Sequence, residues 1–171
     1  MLYFHCMDIL AVDNIEPREV SVVGMAANEY TEILNVDTVK RKIYGIASVE
    51  VVDDYSTLLS IKSMNLNRFT QVYFEHGLSD ATKIPIGRIE HAQKTVRDGK
   101  NAVLVHLDIA KTEPQNRLAD IVLNKVDKGY LKGLSIGFPP LDTLEFSEIT
   151  REEAENYDSY QKDKESGNMP V

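Results

Sequence analysis

Residues 133–138 read Gly-Leu-Ser-Ile-Gly-Phe. In an extended segment the side chains alternate between two faces, so Gly133, Ser135 and Gly137 share one face and the apolar residues between them share the other. The apolar face can anchor in a core, while the two glycines leave the serine open to the approach of another chain. The stretch therefore predicts a strand that presents the hydroxyl of Ser135 as a nucleophile.

The G-x-S-x-G pattern also marks the nucleophile elbow of the α/β-hydrolases, which needs a strand before the serine, a helix after it and a histidine later in the chain. Here a predicted helix precedes the serine, and Pro139-Pro140 prevents a helix from following directly. All the histidines of the chain come before Ser135, at His5, His76, His91 and His106. The α/β-hydrolase interpretation is excluded.

The segment before the serine predicts a helix over residues 113–128. Thr112 is a suitable N-cap with a glutamine three residues on, Pro114 lies in the first turn, and Gly129 follows as the C′ residue. Its apolar stripe predicts a contact with the core, or alternatively a dimer interface, and consists of Leu118, Ile121, Val122, Lys125 and Val126.

Outside this helix the pattern is that of short strands. Alternation and β-branched residues predict strands at 18–23, 43–52, 70–75, 84–89 and 102–109, with a hairpin turn at 97–101. Residues 62–69 fit a loop or a short helix. Several short strands with one strong helix predict an α+β fold, a mainly antiparallel β-barrel with flanking helices.

Composition narrows the function classes. A chain of 171 residues that is 43% hydrophobic can bury one core. A single cysteine, Cys6, and scattered histidines predict no internal disulfide, no metal site and no cofactor. A net charge of −8 argues against nucleic-acid binding. Because neither a long apolar run nor a convincing signal peptide is present, we expect no membrane association and a cytoplasmic setting.

The acidic charge is concentrated at the carboxyl end. Residues 142–171 contain nine acidic and three basic residues and few large apolar ones. This composition predicts a solvated acidic tail, part helix and part disordered, after a domain that spans residues 1–141.

Two motifs together resemble one family. Phe74-Glu-His76-Gly, followed by Ile-Pro-Ile-Gly-Arg-Ile at 84–89, resembles the histidine motif of the tailed-phage prohead proteases. Asp108-Ile-Ala, the helix and the segment from Gly129 to Phe138 resemble the serine motif of that family. The resemblance covers residues 43–140. It implies a herpesvirus-assemblin-like β-barrel ringed by helices, and a protease that cleaves scaffold and coat proteins inside the procapsid.

The chain departs from the family in the order of its parts. Family members usually follow the serine with a strand that carries a catalytic glutamate, and nothing after Phe138 matches it. Residues 18–28, Arg-Glu-Val-Ser-Val-Val-Gly-Met-Ala-Ala-Asn, do match, although Ala26 replaces the proline of the family. The chain thus resembles a circularly permuted member in which residues 1–34 carry the last strand, a change that closely placed termini permit.

The resemblance implies a role for each of three residues. Ser135 would be the nucleophile, His76 the general base and then acid, and Glu19 the group that orients the imidazole. Alternation supports the last assignment, since Glu19 shares a face with Ser21 while the valines between and after them face the core. Glu16, Asp13 and Asp108 remain alternatives for the acid.

Further expectations follow from the same resemblance. The loop after the glutamate strand would supply the oxyanion donors, from the backbone of Ala26 and Ala27 with Asn28. A homodimer is expected, acting in the host cytoplasm inside the phage procapsid on scaffold and major capsid protein. The herpesvirus enzymes use a second histidine where this family uses an acid, so His106 is considered for that role. Its mid-strand position predicts a structural role instead. The alternative function is a non-catalytic capsid-assembly module that keeps the protease fold.

Overall fold

A computed structural model describes residues 9–25, 28–111, 117–139 and 144–168. Strands dominate these ranges, and helices are few. The strands are β1 (Ile9–Asp13), β2 (Glu19–Val23), β3 (Ile33–Asp37), β4 (Lys42–Val49), β5 (Thr57–Leu59), β6 (Gln71–Phe74), β7 (Gly87–Arg97), β8 (Lys100–Ile109), β9 (Gly133–Gly137) and β10 (Glu145–Ile149). The helices are α1 (Leu118–Asp127), α2 (Arg151–Glu155) and α3 (Tyr157–Ser166), and a 3₁₀ turn spans Glu75–Gly77.

The strands form two sheets, one of seven strands in the order β3-β4-β8-β7-β6-β2-β9 and one of three in the order β10-β1-β5. Neighbours are antiparallel except for the parallel pairs β2–β6 and β1–β5. The α+β class is confirmed, but the predicted barrel is wrong because the sheets are not closed. Strands β3 and β9 are opposite edges of the larger sheet. They approach each other at one point, where the backbone N–H of Ile33, the first residue of β3, donates to the carbonyl of Lys132, just before β9, at 2.8 Å.

The main core joins the large sheet, β1 and helix α1. Val20 and Val22 of β2 are completely buried in it, as the alternation of residues 18–23 predicts. Full burial of such a side chain contributes roughly 1.5–3 kcal/mol. The inner face of β2 is therefore fixed firmly, and this also fixes the direction of its other face.

The predicted strands are present, with changed boundaries. The predicted 43–52 strand ends at Val49. The hairpin of β7 and β8 is longer than expected, because β7 continues through a polar run and pairs with β8 as far as Arg97 and Lys100. Asp98 and Gly99 both have positive φ, which is the requirement of a tight type I′ turn. Four short strands were not predicted: β1, β3, β5 and β10.

Helix α1 begins later than predicted and ends as predicted. Its first residue is Leu118, and residues 112–116, with the proposed N-cap Thr112, lie outside the described residues. At the other end, Gly129 has φ +76°, its N–H donates to the carbonyl of Val126, and the N–H of Tyr130 donates to that of Lys125. These bonds form a Schellman motif, which satisfies the last carbonyls of the helix.

The apolar stripe of α1 differs in part from its prediction. Val122 and Val126 are buried, as expected, together with Ala119 and Leu123, whereas Ile121 is 54% exposed. The stripe packs against the core, so the core interpretation is right for most of it. Among the described residues, no helix is long and apolar enough to cross a bilayer.

The acidic carboxyl end is folded against β1, and the prediction of a partly disordered tail is corrected for residues 145–166. Strand β10 pairs with β1 antiparallel, a capping box between Thr150 and Glu153 starts α2, and Tyr157 is buried. The Tyr157 hydroxyl donates to Asp13 Oδ1 at 2.6 Å. Few apolar side chains in this segment contribute to its contact with β1, so the composition does not predict the packing. The helical part of the prediction is confirmed.

Candidate active site

Strand β2 holds the candidate site together. It lies between β6, which is parallel to it, and β9, which is antiparallel. The register aligns Ser21 with Ser135 on one side and Val22 with Phe74 on the other. The turn that follows β6 therefore begins beside the end of β2, close to the serine of β9. The amino-terminal part of the chain folds beside Ser135, as the permuted arrangement requires.

Three predicted site residues are in direct contact. His76 Nδ1 lies 2.6 Å from Glu19 Oε1, and His76 Nε2 lies 3.1 Å from Ser135 Oγ. Both distances fall in the range that proton transfer requires. A carboxylate only accepts hydrogen bonds, so Nδ1 carries the hydrogen and Nε2 presents its lone pair to the serine hydroxyl.

The side chains of this trio differ in exposure. The side chain of Glu19 is 15% exposed, and that of His76 is 30% exposed. The carboxylate is thus mostly withdrawn from water behind the imidazole, while the imidazole reaches the surface. This arrangement strengthens the Glu19–His76 interaction and leaves the serine side of the ring open to a substrate.

The alternative acids are engaged elsewhere. Asp13 is buried and accepts the Tyr157 hydroxyl, and Glu16 Oε1 lies 3.3 Å from Arg68 Nε. Asp108 accepts from Lys42 and Arg88, each at 3.1 Å, and the hydrogen bond from Lys42 lowers the pKa of its carboxyl group. The geometry selects Glu19 as the partner of His76.

His76 sits in an unusual backbone turn. Glu75, His76 and Gly77 have φ values of 46°, 57° and 65° in succession. A left-handed conformation costs a non-glycine residue roughly 1–2 kcal/mol. At Gly77 a side chain would also collide with Tyr73, since a Cβ atom there would lie 2.9 Å from Tyr73 Cδ1. The turn aims the imidazole back across β2, and other contacts must hold it there.

Two hydrogen bonds from the end of β2 stabilise this turn. The hydroxyl oxygen of Ser21 accepts the backbone N–H of His76 at 3.0 Å, and Glu75 Oε1 accepts the backbone N–H of Gly24 at 2.8 Å. Ser21 is completely buried. Alternation along residues 18–23 places Ser21 on the face of Glu19 but does not by itself predict a role for it. A polar residue on that face was the available signal.

Gly137 makes room for the acid. A Cβ atom on Gly137 would lie 2.7 Å from the carboxyl carbon of Glu19, so the Glu19 side chain crosses β9 directly over this glycine. The sequence predicts that the glycine leaves the serine face open. The structure shows a more specific consequence, because the open space at Gly137 is filled by the carboxylate that reaches His76.

The predicted oxyanion loop is described only in part. Ala26 and Ala27 lie outside the described residues. Asn28 lines a cavity that Ser135 also lines, and its Oδ1 accepts the backbone N–H groups of Tyr30 and Thr31. The carboxamide of Asn28 is thus fixed by the loop that it caps, on the same cavity as the serine.

The other histidines have structural surroundings. His106 packs edge-on against Tyr44 and His91, with ring centroids 4.8 and 5.6 Å apart, and its structural role stays a prediction. His91 is exposed and contacts Gln93. His5 lies outside the described residues. Within the described ranges, no group of three or more potential ligands is placed to hold a metal ion.

No protein-family model, curated protein or solved structure matches this chain.

Proposed function

We propose that the protein is a serine endopeptidase that uses Ser135, His76 and Glu19. The observation that supports this most strongly is the continuous chain of contacts from Glu19 Oε1 through His76 to Ser135 Oγ. These residues come from three separate parts of the sequence. Three local features bring them together: the left-handed turn at His76, the hydrogen bond that Ser21 accepts from it, and the absence of a side chain at Gly137.

The first half of the reaction acylates the serine. Ser135 Oγ attacks the carbonyl carbon of a peptide bond while His76 Nε2 takes the hydroxyl proton. Glu19 accepts the hydrogen bond from Nδ1–H and stabilises the imidazolium that forms, without taking the proton itself. The tetrahedral intermediate then collapses, the C–N bond breaks, and the imidazolium gives its proton to the departing amine.

The second half restores the enzyme. Water enters where the amine has left, His76 takes one of its protons, and the oxygen attacks the acyl carbon. Breakdown of this intermediate releases the carboxylic acid and returns the proton to Ser135 Oγ. Donors for the oxyanion are proposed on the segment from Ala26 to Asn28, and removal of one such donor typically costs about 10²–10³ in rate.

The proposed family is that of the tailed-phage prohead proteases, in a circularly permuted, assemblin-like arrangement. The supporting facts are the sequence motifs around His76 and Ser135 and the position of β2 directly between β6 and β9. The strand that carries the acid comes from the amino-terminal part of the chain but pairs with the strand of the serine. This is the expected result when a last strand has moved to the front.

The biological role proposed with this family is maturation of the procapsid. The substrates would be the scaffold and major capsid proteins and the protease itself, the active form a homodimer, and the place of action the procapsid inside the bacterial host. Co-expression with the scaffold and coat proteins of the same phage tests this role. Shortened coat protein should accumulate with the wild-type chain and not with Ser135→Ala.

Covalent labelling tests the chemistry directly. A fluorophosphonate probe should attach to Ser135 Oγ with loss of fluoride, and Ser135→Ala and His76→Ala should both abolish labelling. Ser147→Ala is the matched control, because Ser147 Oγ is buried on β10 without a hydrogen-bond partner. This variant should be labelled like the wild type. A folded wild-type protein that takes up no probe and processes neither itself nor the coat protein would instead favour the assembly module.

A further inference from the structure

A cavity of about 320 Å³ opens beside Ser135. It lies where the small sheet faces β4 and β9, so residues from β1, β5, β4 and β9 line it. Its volume is at the lower end of the range for ligand pockets, roughly 300–1,000 Å³, and suits one large side chain better than a whole ligand.

The cavity wall is mainly aliphatic and aromatic. Aliphatic and aromatic residues make up most of the described lining, among them Leu10, Val49, Val51, Leu59, Ile136 and Phe138. Leu10, Leu59 and Phe138 are only partly buried by the core, so apolar surface remains for an occupant to cover. Burial of that surface against an apolar side chain is favourable.

Two polar residues of the wall already have hydrogen-bond partners within the chain. Asp53 is the one charged residue among the described lining residues, and its Oδ1 accepts the backbone N–H groups of Tyr55 and Thr57 at 2.9 and 3.0 Å. Thr31 Oγ1 is bonded to the carbonyl of Asn28. A carboxylate that entered this cavity would lose water and meet the like charge of Asp53.

An adjoining groove of about 690 Å³ has a different chemistry. Its wall contains Glu29, Glu32 and Asp54, and it shares Val51 with the smaller cavity. An extended peptide at Ser135 can pass along this polar groove and place one side chain in the apolar cavity. Strand β9 is an edge strand of the large sheet, which leaves the flank of Ser135 away from β2 open to such a chain.

From these observations we infer that the cavity beside Ser135 is the specificity pocket of the protease and takes one bulky apolar side chain of the substrate, next to the cleaved bond. This inference rests on the proposed function. A leucine, methionine or phenylalanine fits the wall, whereas aspartate and glutamate would face the like charge of Asp53 and are rejected. One methylene in an apolar pocket changes kcat/KM by roughly 10–200-fold, so alanine should be a clearly poorer residue than leucine.

The experiment measures cleavage positions in a peptide library made from a digested bacterial proteome, with the full chain as enzyme. Mass spectrometry of the products should show bulky apolar residues enriched at one position beside the cut. In matched synthetic peptides, leucine at that position should exceed alanine in kcat/KM by about tenfold or more.

Two variants of Val51 connect that preference with this cavity. Val51→Trp should fill the pocket and shift the preference toward alanine and glycine, while Val51→Ala should widen it and raise kcat/KM for phenylalanine relative to leucine. The matched control is Val96→Trp, at an exposed position of the β7–β8 hairpin, which should keep the wild-type profile. Fluorophosphonate labelling of Ser135 reports whether each variant forms its active site, and Val51→Ala decides if Val51→Trp does not fold.

Each outcome has a defined meaning. Labelled enzyme that prefers charged residues, shows no preference, or keeps its preference in both Val51 variants overturns the pocket and leaves the protease in place. Wild-type protein that is folded but neither labelled nor able to cut any peptide overturns the proposed function, and the pocket with it.

Discussion

His76 and Glu19 are 57 residues apart in the chain, yet His76 Nδ1 lies 2.6 Å from Glu19 Oε1. The contact does more than hold the ring in place. It assigns the hydrogen to Nδ1 and so leaves Nε2 free to take the proton of Ser135. In the proposed mechanism the acid therefore serves both orientation and the correct tautomer.

Replacing Glu19 with glutamine should separate these roles from folding. The amide fits the same space but can donate to Nδ1, which favours the wrong tautomer, and kcat should fall by up to about 10⁴-fold, the loss known for the equivalent change in other Ser-His-acid triads. Stopped-time assays of self-cleavage or peptide hydrolysis measure the loss, and thermal unfolding checks the fold. Activity within threefold of the wild type would show that Glu19 is not the working acid.

Ser21 should act as a positioning residue for His76. Ser21→Ala removes the acceptor for the His76 N–H and leaves a buried donor unpaired, at a cost of about 1–3 kcal/mol in stability. Because the left-handed turn loses one of its two restraints, kcat should fall about 10²-fold with KM nearly unchanged, the effect of a misplaced catalytic group. The control is Ser147→Ala, which removes an equally buried hydroxyl with no partner. Equal kcat in the two variants would contradict a positioning role.

Much of the site could be predicted from sequence because its parts follow simple alternation. Val20 and Val22 had to face the core, so Glu19 had to lie on the opposite face of the strand. The glycines on either side of Ser135 predicted that its face of the strand would be free of large side chains. What alternation could not provide was the identity of the neighbouring strands, because pairing between distant segments depends on the whole fold.

The unpredicted features share a physical cause. Strands β1 and β10 are short; β1 is buried at nearly every position and β10 is buried only at Ile149, so neither shows a period-two pattern. The left-handed φ of Glu75 and His76 is imposed by hydrogen bonds to β2, against the preference of both residues. The barrel was wrongly predicted because closure needs a ladder between β3 and β9, and local patterns do not encode whether two distant edge strands pair.

Gly137 should be required by the acid and not by the fold. Gly137→Ala places a methyl group against the Glu19 carboxylate, which is the movable end of a side chain, so Glu19 should swing away from His76. Activity should fall about 10²-fold. The free energy of unfolding should be unchanged or slightly higher. Alanine reduces the conformational entropy of the unfolded chain, which stabilises a protein by about 0.4–1 kcal/mol at a compatible position.

A double-mutant cycle tests whether that loss passes through Glu19. In a Glu19→Ala background, Gly137→Ala should have no further effect on kcat, because the displaced group is already absent. Independent, multiplicative losses would mean that the glycine serves the substrate or the serine itself. Urea unfolding of all four proteins shows whether the fold is the same in each.

Glu50 gives a prediction about stability and pH that is separate from catalysis. Its carboxyl group is buried, with Oε2 accepting the backbone N–H of Ile61 at 2.7 Å and Oε1 facing the amide of Asn101 at 3.4 Å. Burial raises the pKa of Glu50 above its ordinary value of 4.5, an effect that the Ile61 hydrogen bond reduces without reversing it. The folded protein therefore holds this proton more tightly than the unfolded chain does.

The sign of the resulting pH dependence is fixed by linkage. A raised pKa in the folded state contributes stability that is fully present below pH 4.5 and is lost as the pH rises through the folded-state pKa. Glu50→Gln keeps an oxygen for the Ile61 N–H and carries no charge, so its free energy of unfolding should exceed that of the wild type near pH 7, with the difference shrinking toward pH 4. Urea unfolding of both proteins between pH 4 and 8 measures this, and Glu148→Gln on exposed β10 controls for the change in net charge. A difference that stays constant across that range, or grows toward acid, would show that burial of the Glu50 carboxylate does not limit stability at neutral pH.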